Sequence, residues 1–342
     1  MRLLLHEWCC SGGLGGPGRA AASPAEGLFR EGRAMLAALL RDGARSAGLE
    51  IAVLLDERLL RETGLAPEIP AGVTTIPVAP GAEIDALVAA AKHADRTLLV
   101  APESDGLLAE RVAAVRATGG DVIAPDARFL AAAADKQVTA GLLAARGLPL
   151  PAGTTLAPGD AVPAGFPLPA VAKARGGCGG EGFVVIHARE DLPAAAFERR
   201  LEAFVPGTPV GVACLCGPAG VECLPAARQR CSRQGAYLGG DFALSASEAP
   251  RAEALAARAI QALAAATGPA RGWVGVDMIL GESDDGRLDR VLEINPRLTS
   301  SFVGHARRSP SSLLGAVVAV ADGAMPTPGT RDWLPGTPFD AA

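Results

Sequence analysis

Lysine, asparagine and tyrosine are nearly missing from this 342-residue chain, and other shortages narrow what it can be. Lys92, Lys136 and Lys173 are its only lysines, arginine supplying the rest of the 32 basic residues. With 37 acidic residues the formal net charge is −5, and no basic run interleaved with aromatics occurs, so no nucleic-acid partner is expected. The four histidines (His6, His93, His187, His305) stand apart in sequence, and nothing suggests a Ser-His-Asp arrangement. Seven cysteines, an odd number scattered over a long chain, suit reduced thiols and a cytoplasmic location. Cys214, Cys216, Cys223 and Cys231 lack knuckle spacing and an accompanying histidine, so small buried thiols are expected there rather than zinc. No apolar run is long enough to cross a bilayer; residues 313–321 fall far short, and no membrane partner is expected. Met1-Arg2-Leu3-Leu4-Leu5 runs straight into His6 and Glu7, so a signal peptide is not expected either.

The scarce residues sit in informative places. Asn295 is the chain's only asparagine, and it lies in Val291-Leu292-Glu293-Ile294-Asn295-Pro296-Arg297. Side chains alternate across a strand, so Glu293 and Asn295 share a face. The apolar run 274–280 precedes it and carries Asp277, while 281–289, with Asp284-Asp285-Gly286 inside it, reads as a hairpin turn. Two carboxylates and an amide oxygen, Asp277, Glu293 and Asn295, would then converge on one sheet face. That is hard-oxygen chemistry suited to Mg²⁺ (or Mn²⁺) shared with substrate phosphates.

In chain order, strands are expected at 2–8, 50–55, 73–78 and 97–101, with helices at 24–47, 82–93 and 104–118. The first helix opens on Ser23-Pro24-Ala25-Glu26, an N-cap serine followed by proline at the first helical position. Alternating strands and helices predict a parallel α/β domain over about residues 1–130. The glycine loop 12–18 does not keep G-x-G-x-x-G spacing, so dinucleotide binding is disfavoured. A helix opening at Asp135-Lys136 leads into a Pro/Gly-rich, strand-poor connection over 148–169. The strand 170–173 ends in Lys173, and Arg175-Gly176-Gly177-Cys178-Gly179-Gly180-Glu181-Gly182 then turns back into a strand at 183–187. The backbone N–H groups of such a hairpin can close over phosphates. A helix is expected at 191–201, then an extended Glu202-Ala203-Phe204-Val205 able to present backbone groups to an adenine edge. Strands at 209–216 and 221–224, a polar loop at 226–240 bearing Arg228, Arg230 and Arg233, and helices at 251–267 and 311–322 complete the reading, with a Pro-rich tail over 326–342.

A lysine before the connection, a lysine-ended strand, a glycine hairpin, a Glu-x-Phe-Val segment and Asp…Glu-x-Asn-Pro-Arg, in this order over about 130–305, resemble the ATP-grasp superfamily. The resemblance implies an α/β N-terminal parallel-sheet domain followed by a two-subdomain α+β ATP-grasp fold. The expected divisions are 1–130, a small subdomain 131–207 carrying the glycine lid, a large subdomain 208–325 and the tail. It further implies that Lys136 and Lys173 contact ATP phosphates beside Gly176, Gly177, Gly179 and Gly180. Glu202, Phe204 and the Val205 backbone would read adenine, Asp277, Glu293 and Asn295 would hold the metal, and Arg297 would neutralise the transferred phosphoryl group. Pro209 stands where relatives often place a ribose-binding glutamate. Closer patterns are His6-Glu7-Trp8, Ser23-Pro24, Glu31-Gly32-Arg33-Ala34-Met35, Pro102-Glu103-Ser104-Asp105 and Glu293-Ile294-Asn295-Pro296-Arg297-Leu298-Thr299-Ser300-Ser301. They resemble the tyramine–glutamate ligase family of methanofuran synthesis.

The implied activity is carboxylate–amine ligation through an acyl phosphate, with a small-molecule carboxylate and amine as partners and a homodimer left open. Lys173 and Arg297 are the expected catalytic residues. Arg297 is the first choice to meet the acid substrate, with Arg228 or Arg230 next. The alternatives are an ATP-grasp ligase for another substrate pair, a nucleotide-binding module without turnover, and a dinucleotide-dependent oxidoreductase.

Overall fold

A computed structural model describes residues 1–15, 24–62, 64–232, 235–325 and 332–341. The expected cap at Ser23, the loop beyond Gly15 and Arg233 lie outside these described residues. The first domain is laid down by apolar runs: β1 (Arg2–Glu7), α1 (Pro24–Gly43), β2 (Glu50–Asp56), α2 (Glu57–Arg61), β3 (Thr74–Val78), α3 (Glu83–Ala91), β4 (Arg96–Val100) and α4 (Leu107–Ala117). Its strands pair parallel in the order β3-β2-β1-β4. β1, β2 and β4 are buried almost throughout, as befits parallel strands covered by helices on both faces. Leu3, Leu5, Val53 and Leu55 pack toward Leu36, Leu39 and Leu40 of α1, whereas Leu4, Ala52, Leu54 and Leu99 meet Leu87 of α3 and Val112 and Val115 of α4. Each fully buried leucine contributes about 1.5–3 kcal/mol.

Two further helices follow, α5 (Ala127–Ala134) and α6 (Lys136–Ala144). Asp135 divides them: its carboxylate accepts from Gln137 N at 2.9 Å and Val138 N at 3.1 Å, so one residue ends α5 and caps α6. The small sheet then forms from β5 (Gly153–Leu156), β6 (Ala170–Ala174), β7 (Val184–Ile186) and β8 (Arg199–Ala203), in the order β5-β8-β6-β7, all antiparallel. Leu156, Ala170, Ala172, Ile186 and Leu201 make its core.

The large sheet is antiparallel and runs β14-β13-β9-β11-β12-β15, with β10 also on β9. Its strands are β9 (Thr208–Gly217), β10 (Gly220–Cys223), β11 (Ala227–Cys231), β12 (Tyr237–Asp241), β13 (Gly272–Leu280), β14 (Arg290–Asn295) and β15 (Phe339–Asp340). Its helices are α7 (Glu248–Thr267), α8 (Ser301–Arg308) and α9 (Leu313–Ala321). Val210, Val212, Val274, Val276 and Met278 face the layer that contains α7. The opposite set, Ala213, Leu215 and Trp273, joins Phe302 of α8, Val317 of α9 and the first domain's Leu36 in one continuous core. The large sheet is thereby bonded to the parallel domain at one end of this face. At the other end the same face is open, and that opening is the candidate site.

The parallel domain followed by antiparallel α+β sheets is the expected fold class, but several elements differ. The helix expected at 191–201 is a short turn, Arg189–Asp191, followed by the strand β8. Pro193 deprives a helix of an amide, and the two-residue alternation of Arg200 and Glu202 about Leu201 suits pairing with β6. The expected loop at 226–240 contains the β11–β12 hairpin, and the connection 148–169 contains β5. Residues 131–150, expected with the small subdomain, pack with α7 and β14 instead, through Leu143 and Leu148. One expected helix at 311–322 is preceded by a second, α8, and within the tail Phe339 is buried where β15 pairs β12. Among the described residues no helix is long and apolar enough to cross a membrane.

Candidate active site

The site is built on the β13–β14 pairing. Asp277 stands opposite Glu293 and Gly275 opposite Asn295. Between Asp277 and Met278 the register shifts, because Leu292 is an extra residue on β14. This bulge lets Leu292, Glu293 and Asn295 all line the cavity while Val291 and Ile294 stay in the core. β9 lies on the other side of β13 and places Gly211 opposite Asp277. A β-carbon on Gly211 would come within 2.8 Å of Gln229 Nε2 and 3.4 Å of Asp277 Oδ1, so the lack of a side chain there makes room for both.

Asp277 is held from two sides. Its Oδ2 accepts from Asn295 Nδ2 at 2.8 Å and its Oδ1 from Gln229 Nε2 at 2.7 Å. Burial, and then the negative charge of Glu293, push its carboxyl up to about 7. Burial also works against the Glu293 carboxylate, but the Lys136 and Lys173 ammonium groups outweigh it and hold Glu293 below the usual range. Lys136 Nζ is 3.5 Å from Glu293 Oε2 and donates to the Gly177 carbonyl at the root of the glycine hairpin. Lys173 Nζ is 2.9 Å from Glu202 Oε2, and Arg200 Nε is 2.7 Å from Glu202 Oε1.

The glycine hairpin 176–182 lies over these groups. Gly180 has a positive φ of 82°, and a β-carbon on it would come within 2.8 Å of the Gly235 carbonyl, so only glycine fits this crossing without strain. Beneath the hairpin is a cavity of about 220 Å³, on whose wall Lys136, Lys173, Asp277, Glu293, Asn295 and Arg297 meet. Gly177, Gly179 and Gly180 also line it. Gly176 opens instead on a neighbouring groove with Ser104 and Asp135. Glu202, Phe204 and Val205 are not on the cavity wall: both oxygens of Glu202 are engaged by Lys173 and Arg200, and Phe204 is 45% exposed.

Arg297 Nε donates to Glu103 Oε2 at 2.9 Å, which ties the loop after β14 to the loop after β4. Burial works against its charge, but Glu103 outweighs the burial and keeps the guanidinium firmly protonated. Arg228 and Arg230 do not reach the cavity, contrary to expectation. Alternation along β11 sends Ala227, Gln229 and Cys231 to the cavity wall, while Arg230 pairs with Asp340 at 2.6 Å and Arg228 donates to the Ala243 carbonyl at 3.4 Å.

Three residues here escape a reading of sequence alone. Gln229 was hidden by the expectation of a loop; its period-two spacing with Ala227 and Cys231 is the signal for it. Glu31 and Glu103 occur in the patterns quoted above without a role, and the fold brings both to Arg297's end of the site, where Glu31 also accepts from the Ser300 hydroxyl.

Among the described residues no group of three or more His, Cys, Asp or Glu side chains could hold a metal. The donor set is instead two carboxylates and one amide. Its chemistry fits a hard divalent cation: two half-buried carboxylates face one another, and the charge of one raises the proton affinity of the other, an imbalance that a cation relieves. Asp277, Glu293 and the Asn295 amide oxygen would hold it.

Residues 133–301 match the family described as an ATP-grasp domain, and residues 49–128 match one described as a pre ATP-grasp 3 domain. Among solved structures, an ATP-grasp superfamily candidate from Archaeoglobus fulgidus is 20% identical, with a TM-score of 0.68 over 94% of this chain and 89% of that one. A biotin carboxylase from Campylobacter jejuni is 17% identical, with a TM-score of 0.68 over 97% and 73%. An L-amino acid ligase from Bacillus licheniformis is 16% identical, with a TM-score of 0.63 over 95% and 75%. These likenesses concern the fold. No curated protein matches the chain.

Proposed function

We propose, from the premise that the chain is an ATP-grasp domain protein, that it is an ATP-dependent, ADP-forming ligase joining a carboxylate to an amine through an acyl phosphate. One observation carries this reading. Lys136 and Lys173, two of only three lysines, come from separate segments to the same cavity as Asp277, Glu293 and Asn295, and both act on Glu293.

A carboxylate is a poor electrophile, because its charge repels a nucleophile and oxide is a poor leaving group. Accepting the ATP γ-phosphoryl group turns the departing oxygen into phosphate. That transfer needs positioning and charge neutralisation more than a protein nucleophile, which agrees with a cavity wall bearing lysines, arginine and glycine N–H groups but no histidine. Lys173 binds the phosphates from β6 of the small sheet, and Lys136 from the start of α6. Asp277, Glu293 and Asn295 hold the divalent cation, which when bound offsets charge on the phosphate oxygens. Arg297, fixed in direction by Glu103, faces the acyl oxygen from the other end of the cavity. The glycine hairpin, pinned through Gly177 to Lys136, keeps water away from the activated acid.

The narrower reading, glutamate joined through its γ-carboxylate to tyramine, tyrosine or a related amine, rests on the patterns around Glu31, Glu103 and Thr299-Ser300-Ser301. The test is an ADP-release screen of glutamate, aspartate and alanine against tyramine, tyrosine and simple amines. Turnover with glutamate and an aromatic amine supports the narrower reading, and turnover only with another pair leaves the ligase and removes that substrate assignment. ATP binding without ADP release on any acid would overturn the ligase itself. Lys173→Ala should reduce release by about 10²–10³-fold. Near-normal release from a folded Lys173→Ala protein would defeat the phosphate assignment.

A further inference from the structure

The cysteines of the large sheet take no part in this chemistry, yet two of them are placed for a reaction of their own. β9 and β10 pair antiparallel in the register Gly217↔Gly220, Cys216↔Val221, Leu215↔Glu222 and Cys214↔Cys223. Directly opposed residues of such a pair project on one face with their β-carbons close. The Cys214 and Cys223 Sγ atoms are 2.8 Å apart. The two sulfurs are unequal in access. Cys214 is fully buried, while Cys223 is half-buried and sends its Sγ to the Glu253 carbonyl at 3.4 Å. Cys216, also buried, lies two residues along the same face of β9. This face is the one turned toward α7, whereas Gly211 on the alternate set of β9 lines the candidate active site.

We propose that Cys214 and Cys223 form an oxidative modification site, at which a peroxide closes a cross-strand disulfide that staples β10 to β9. The half-buried Cys223 thiol reacts first: its sulfur is oxidised to the sulfenic acid while the peroxide O–O bond breaks and one water leaves. The Cys214 sulfur then attacks the Cys223 sulfur, the S–O bond breaks, and the hydroxyl departs with the Cys214 proton as a second water. In total two thiols lose two electrons and two protons, and one hydrogen peroxide becomes two waters. A dithiol reverses the change by thiol–disulfide exchange. Burial raises the Cys214 thiol well above its ordinary range, in keeping with Cys223 as the first sulfur to react. Because the staple projects from the face opposite Gly211, this modification stands or falls independently of the ligase reading.

The test is to expose the folded full-length chain to hydrogen peroxide, unfold it, and count free thiols. The reduced chain has seven cysteines; two thiols should disappear, both returning with dithiothreitol. Cleavage after Glu222 separates the Cys214 and Cys223 peptides, so a disulfide between them is seen as one joined species that reduction splits. Cys216→Ser and Cys231→Ser should retain the joined species. Cys223→Ser, and Cys223→Ala should the hydroxyl disturb β10, should abolish it. Oxidation should raise Tm in the wild type and in Cys216→Ser, and in neither Cys223 variant. Six thiols persisting at a peroxide dose that oxidises only the exposed Cys231 would overturn the proposal. So would a disulfide that survives in the Cys223 variants.

Discussion

Replacing Gln229 by leucine removes one of the two amide donors to Asp277 and keeps most of the side chain's bulk. Gln229 Nε2 lies 2.7 Å from Asp277 Oδ1, and the remaining donor, Asn295 Nδ2, lies 2.8 Å from Oδ2. A hydrogen bond to a charged group contributes about 1.5–3 kcal/mol, and one pKa unit corresponds to about 1.4 kcal/mol. The Asp277 carboxyl, already raised to about 7 by burial and by Glu293, should therefore climb by about one to two units. Only the carboxylate holds a divalent cation, so Mg²⁺-supported ADP release in Gln229→Leu should lose its acid limb at a higher pH than the wild type. Near pH 7 the loss should be about five- to fifty-fold, and by about pH 9 most of it should be recovered. The assay is the initial rate of ADP release at saturating ATP across that range, with thermal melts to show that the variant is folded. A profile superimposable on the wild type would refute the role given to Gln229. A loss equal at every pH would refute the argument through Asp277's proton.

Asn295→Asp adds a third carboxylate beside Asp277 and Glu293, and should shift Mg²⁺ dependence measurably; an unchanged Mg²⁺ titration would count against Asn295 as a ligand. Gly180→Val should cut ADP release by an order of magnitude or more, because the β-carbon meets the Gly235 carbonyl at 2.8 Å where φ is positive, while Tm stays close to the wild type. Phe302→Ala, at a fully buried position in the core that joins the first domain to the large sheet, should cost about 3–5 kcal/mol in a denaturant titration. Two groups, the buried His305 and the half-buried Asp277, give the ligand-free protein opposing pH dependence. Burial holds His305 down at about 4, below its ordinary 6.5, so its contribution to stability is lost as pH falls through that window. Asp277 is raised from 3.8 to about 7, so its contribution is present at low pH and lost as pH rises between those values. In Asp277→Asn the His305 effect is no longer offset, and Tm should fall more steeply than in the wild type between about pH 6.5 and about 4.

Much of this protein was legible from local pattern. Unbroken apolar runs marked the parallel strands, Asp135 marked the start of α6, and alternation along 291–295 put Glu293 and Asn295 on one face with Ile294 on the other. Each is a property of a few neighbouring residues, set by the period of a strand or by one cap, and so it survives without knowledge of the rest of the chain. The bulge at Leu292 did not show in that pattern, because an extra residue on one strand is defined only against its partner. Nor did the β11–β12 hairpin: arginines facing solvent look like a loop until the other set, Ala227, Gln229 and Cys231, is seen lining a cavity. Glu202 read as an adenine contact until the fold set Lys173 and Arg200 on its two oxygens.

The amino-acid order alone determined the element types, the scarcity that singled out Lys136, Lys173 and Asn295, and the hard-oxygen character of the late hairpin. Only the tertiary structure decided which distant residues would meet: Gln229 beside Asp277, Glu103 on Arg297, Cys214 against Cys223. The reason is that periodicity and capping act over a few residues. The order of strands in a sheet, with β9 seated between β13 and β11, is chosen instead by the burial of whole faces against helices far away in the chain.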